Sequence, residues 1–268
     1  MSSAPRGNAL RTLRIGALLG VLVFVALGAW QTKLRSTDWN DTLWVALYPI
    51  NGDGSAATER YVTNLDVSKY AAVDSFMARE AKRYGVAIEQ PVYPILAARV
   101  DELPPAPPPD GNVLKIIWWS LKLRYWAGRQ DPGYETGPDP DIRIFVVYHD
   151  PEVTERVPDS LGLEKGLIGV VNAWAGPRET GANNVVIAHE LLHTLGASDK
   201  YEPATSLPLH PDGFAEPDRD PLYPQRRAEI MGGRIPVSPD EATIPGSLRS
   251  TVVGPATATE INWIAERR

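Results

Sequence analysis

Residues 187–199 read Ile187-Ala188-His189-Glu190-Leu191-Leu192-His193-Thr194-Leu195-Gly196-Ala197-Ser198-Asp199. On an α-helix each residue advances about 100°, so His189 and His193 lie one turn apart on one face. Two imidazoles so placed can grip one cation. Glu190 sits one step round, close enough to reach a metal-bound water but not placed as a ligand of the pair. Ile187, Leu191 and Leu195 recur at i, i+4, i+8 and bury the opposite side of the helix, which holds the histidines rigid. Gly196 stops the helix, because a sharp reversal wants a residue that accepts positive φ. The chain can then deliver Asp199 to the same point. Two His and one carboxylate make three protein ligands and leave a position open, the pattern of a catalytic zinc site rather than a closed structural one. The chain has four His, so a chance HExxH is expected in well under about 1% of shuffled sequences.

Outward from this helix, predicted over 184–195, strands are expected at 43–48, 92–100, 142–148 and 167–174. A helix over 66–84 is capped by Asp66 and stopped by Gly85. A second, over 112–128, carries Ile116, Ile117, Trp118, Trp119, Leu121 and Trp126, which are expected in the core. Residues 103–111 form a proline-rich loop, and 201–227 a long irregular stretch rich in Pro, Asp and Gly. A closing helix begins near Thr257, which has capping-box spacing to Glu260. Sheet segments and helices in this order predict an α+β fold.

The chain has 268 residues, no cysteine and a net charge of −6. The missing cysteine excludes disulfides, thiolate metal sites and a Cys nucleophile. Residues 1–35 hold five basic groups and no acid, which leaves the remainder at −11. Such an acidic body argues against a nucleic-acid partner. Residues 15–30 are an unbroken apolar and Gly run after three arginines. They are expected to form a transmembrane anchor or uncleaved signal, with 1–14 as a cytoplasmic basic tail, 31–41 as a tether and 42–268 as the domain that carries the metal motif. That arrangement puts the catalytic domain on the exported side, periplasmic or extracellular, and secreted if the segment is cleaved.

The stretch 189–199 resembles the extended metzincin signature, HExxHxxGxxH/D, which is followed by a Met-turn. Ala228-Glu229-Ile230-Met231-Gly232-Gly233 resembles that turn. By this resemblance, Met231 forms a hydrophobic floor under the metal. The Asp199 variant is similar to the snapalysin-like branch. The resemblance implies a metzincin-like zincin: a twisted, mixed, mostly parallel sheet, a motif-bearing active-site helix and a small C-terminal subdomain ending in a helix. It also implies Zn²⁺ as cofactor and a peptide or protein as substrate. The chain departs from the pattern where Gly233 replaces the tyrosine that some branches carry after the methionine.

The expected activity is that of a zinc-dependent endopeptidase in which Glu190, the catalytic general base, activates the metal-bound water. A non-proteolytic zinc amide hydrolase and a catalytically inactive binding module are the alternatives. Tyr201 and Tyr223 are candidates to assist the transition state. Val170 to Trp174 is expected to line the cleft as an edge strand that pairs with substrate. His149 and His210 are weak candidates as further ligands, and 211–220 a weak candidate for Ca²⁺. The loop 201–227 is a candidate cover for the cleft.

Overall fold

Leu43 to Asn51 is almost continuously apolar, as a strand covered on both faces must be. The structure, a computed structural model, describes residues 37–109, 112–130 and 139–264. In it this stretch is β1 (Leu43–Asn51), buried along nearly its whole length. Around it stand β2 (Val92–Leu96), β3 (Ile142–His149), β4 (Leu161–Leu163) and β5 (Ile168–Trp174) in the order β2-β1-β3-β5-β4. The first four in that order run parallel; β4 alone is antiparallel, against β5. The fold is thus mixed α+β, with a mostly parallel sheet.

Side chains alternate between the two faces with the period of two that a strand imposes. Val45, Leu47, Ile144 and Val146 point into a core built with helices α2 (Ala71–Arg83) and α4 (Thr180–Thr194). Ala46, Ile50, Phe145 and Val147 point the other way, onto α3 (Val113–Gln130). A short helix, α1 (Ala56–Thr63), follows β1. Its N-cap Ser55 accepts from the Thr58 N–H.

Several local expectations hold. Asp66 caps its turn, accepting from Ser68 N–H at 2.9 Å, although the first turn (Val67–Tyr70) is 3₁₀. Gly85 ends α2 at φ +75°. Pro94 is tolerated in β2 because β2 is an edge strand and can spare an N–H. The regular strand stops at Leu96, short of the expected Val100, though Val100 still forms a bridge with Ile50.

The C-terminal part contains a parallel pair, β6 (Ala228–Glu229) with β9 (Thr251–Val252), and a hairpin, β7 (Ile235–Ser238) with β8 (Glu241–Thr243). It is followed by α5 (Pro255–Glu260). The expected capping box is absent. Gly254 is the N-cap, while Thr257 Oγ1 donates to Glu229 Oε1 at 2.8 Å.

Other expectations are corrected. Among the described residues no helix is long and apolar enough to cross a membrane. The run 15–30 lies outside the described residues, as does the tail 1–14. The transmembrane anchor, and the exported or secreted placement drawn from it, are therefore withdrawn. Packing also reaches back into the stretch read as a tether: Trp39 is buried, and its indole donates to the Ile261 carbonyl at 2.7 Å. In α3 the core assignment fails for Ile116, Ile117, Trp118 and Leu121, which are exposed. Leu123, Trp126 and Ala127 are the buried residues. Helical period marks which residues share a face, and α3 is apolar on two faces although only one meets the sheet.

Candidate metal centre

Helix α4 begins at Thr180, four residues before the expected start, and runs through the HELLH segment. Ile187, Leu191 and Leu195 are all buried, so the helix is seated as its stripe requires. Gly196 has φ +100°, and the reversal is closed by Ala197 N–H donating to the Leu192 carbonyl at 3.0 Å. Asp199 is thereby carried back to the two histidines.

The outcome is a triangle. His189 Nε2 and His193 Nε2 lie 3.1 Å apart, and Asp199 Oδ1 is 3.1 Å from each. His189 Nδ1 donates to the Ile230 carbonyl at 2.9 Å, and His193 Nδ1 donates to the Ala197 carbonyl at 2.8 Å. A carbonyl can only accept, so each Nδ1 carries a proton and each Nε2 is turned toward the common point, where a metal ion would take the place of its proton. Donors around a tetrahedral ion with bonds of about 2.0–2.1 Å stand about 3.3 Å apart. The observed spacing is close to that, and His189, His193 and Asp199 could hold a metal ion.

The electrostatics agree. Burial lowers the His189 pKa. The hydrogen bond to Asp199, the Glu190 charge and the Ile230 carbonyl outweigh it and raise the value to about 9. Burial works the other way on Asp199, yet hydrogen bonds from both histidines hold its carboxyl well below the usual carboxylate range. The site draws positive charge to one point. Glu190 is buried beside it, and its Oε2 has no hydrogen-bond partner among the described residues. Burial pushes the Glu190 pKa up against the pull of the two histidines.

Met231 is fully buried in a 3₁₀ turn (Ile230–Gly232), next to the carbonyl that orients His189. Gly233 ends that turn at φ +72°. The Met231 carbonyl accepts from Lys200 N–H at 2.9 Å, which ties the turn to the residue following Asp199.

A cavity of about 560 Å³ opens onto His189 and Glu190, with Tyr201, Asn172, Trp174 and Arg234 in its walls. The structure separates the two tyrosine candidates. The Tyr201 ring lies 6.4 Å from the His189 ring, and burial together with Asp199 and Glu190 pushes its phenol up to about 12. Tyr223 instead packs on Phe214. From the 201–227 loop, Tyr201 and Ser206 reach the cavity wall.

The substrate-pairing strand is corrected in one respect: Asn172 and Trp174 do line the cavity, but the strand is not at the sheet edge. β5 is interior, flanked by β3 and β4. Beyond β4, Asn172 N–H donates to Ser160 Oγ at 2.9 Å, and Asn183 holds both the N–H and the carbonyl of Trp174. His149 hydrogen-bonds Asn172 Oδ1, and His210 donates to the Pro217 carbonyl; neither joins the triangle. Among the described residues no second cluster of three potential ligands exists, in 211–220 or elsewhere.

Sequence reasoning missed the residues that support the site. Glu229 is fully buried and accepts from Gly232 N–H, Gly254 N–H and Thr257 Oγ1. Glu260 accepts from Ser198 and Lys200. Their partners lie up to 62 residues away, so no short spacing signals them.

No protein-family model matches this chain, and no curated protein matches it.

Proposed function

We propose that the chain is a zinc-dependent endopeptidase of the metzincin type. The observation that carries this is the convergence of His189 Nε2, His193 Nε2 and Asp199 Oδ1 at 3.1 Å beside the Glu190 carboxylate, whose Oε2 has no hydrogen-bond partner among the described residues. A mostly parallel sheet, a motif-bearing helix, a methionine turn and a small part ending in a helix support the same assignment.

His189, His193 and Asp199 would hold a zinc ion, which when bound would supply a Lewis acid and lower the pKa of water from 15.7 toward about 7. The carbonyls of Ile230 and Ala197 hold the Nδ1 protons of His189 and His193, which leaves each Nε2 as the atom that would bind the metal. Glu190 takes the proton of the attacking water and returns it to the leaving amine. Burial raises its pKa, the direction that favours taking up the proton it must later return. Tyr201, from the cavity wall, can donate to the developing oxyanion.

The test measures metal content and cleavage of an unstructured peptide by the purified protein. About one zinc per chain, lost in Asp199→Ala, together with cleavage lost in Glu190→Ala, is the expected result. Failure to take up zinc after incubation with it would overturn the proposal.

A further inference from the structure

Helix α3 is apolar on two faces, and one is uncovered. Leu123, Trp126 and Ala127 pack on the sheet. On the far side Leu114, Ile117, Trp118, Leu121 and Tyr125 face outward; Leu114 is 76%, Trp118 66% and Tyr125 71% exposed. At about 100° per residue, these five fall within a stripe about 100° wide. Lys115, Lys122 and Arg129 follow one border of the stripe and Arg124 the other. The helix contains no acid, in a chain of net charge −6. The Arg129 guanidinium lies 5.9 Å over the Tyr125 ring. Arg124 Nε donates to the Lys165 carbonyl at 2.9 Å, which braces the helix.

The cationic borders select the occupant. A second copy of α3 would set like charges against each other. Residues 1–35 offer the apolar run 15–30 but carry five basic groups and no acid, so they meet the same objection. An anionic lipid surface satisfies every part. Leu and Ile side chains enter the acyl boundary, Trp and Tyr sit at headgroup level, and Lys and Arg reach the phosphates. Four charges within 18 residues rule out crossing.

We propose that α3 docks the protein flat on an anionic bilayer surface without spanning it. This rests on α3 alone, independently of the metal site and of residues 15–30. The docked face is on the side of the sheet opposite α4, so docking leaves the metal helix on the other layer.

The chain has no cysteine, so a single introduced thiol reports one position in the full-length protein. Leu121→Cys and Trp118→Cys, each carrying a polarity-sensitive fluorophore, are titrated with phosphatidylglycerol-containing vesicles. Asp240→Cys, exposed on a different element, is the control. The expected result is a blue shift at both α3 positions, with quenching by nitroxide lipid, and no change at the control. Partitioning should weaken at least about tenfold on phosphatidylcholine alone, and also when Lys115, Lys122, Arg124 and Arg129 are all changed to Gln. No shift at either α3 position would overturn the proposal. So would equal binding to phosphatidylcholine, a shift without vesicles that grows with protein concentration, or a shift produced by polyglutamate and not by vesicles.

Discussion

Glu260, at the end of α5, accepts two hydrogen bonds from Ser198, one from its backbone N–H at 3.0 Å and one from its hydroxyl at 2.6 Å. The same carboxylate receives Lys200 Nζ at 2.7 Å. Asp199 lies between these two residues, so the C-terminal helix fixes the loop that carries the third metal donor. Glu260→Ala should weaken zinc binding about 10- to 100-fold while both histidines remain in place. Competition with a chromogenic chelator measures this, and unchanged affinity would remove Glu260 from the positioning role.

The same contact sets a pH dependence. Burial raises the Glu260 pKa, but hydrogen bonds from Lys200 and Ser198 outweigh it, and the net value lies below the ordinary 4.5. A carboxyl lowered in the folded state contributes stability that is present above 4.5 and is lost as pH falls through its folded value. Glu260→Gln should therefore lower stability at pH values above 4.5, where the charged carboxylate contributes, and flatten the acid limb, so that variant and wild type converge as pH falls through the folded value. Urea denaturation across pH 3–7 (about the range in which carboxylates titrate) reads it directly.

Glu190 is the proposed proton carrier and contributes no donor to the metal triangle. Glu190→Gln should leave zinc stoichiometry intact and lower kcat/KM by about 10²- to 10⁴-fold. Loss of zinc together with activity would instead make Glu190 a structural requirement.

Glu229 gathers three donors on one fully buried carboxylate. Its substitution by Ala strands those donors in the core next to the turn of Met231. We expect a loss of about 2–4 kcal/mol in unfolding free energy, read from urea melts, with zinc affinity falling as the Ile230 carbonyl loses its position.

Gly162 lets β4 lie directly against α4. A Cβ there would meet the Glu190 carbonyl at 2.5 Å and His193 Cβ at 2.6 Å. Gly162→Ala must push the edge strand off the metal helix, at a cost of about 1–3 kcal/mol. Activity should fall along with stability, and a variant as stable and active as the wild type would show that β4 can yield freely.

The metal triangle was legible in the sequence because everything that builds it is local. The helix period sets His189 over His193, Gly196 permits the reversal, and a few residues return Asp199. The buried strands β1, β3 and β5 were legible for a similar reason, since continuous apolar runs admit few other places. What covers each face was decided only in three dimensions. The outward stripe of α3 resembles a core stripe until the sheet is seen to take the other face. β5 looked like an edge until three residues of β4 closed over it. Glu229 and Glu260 gained their roles from partners across 25 to 62 residues. Covalent geometry and periodicity act over a turn or two of chain, whereas burial and hydrogen-bond partners between layers depend on which segments the packed core brings together.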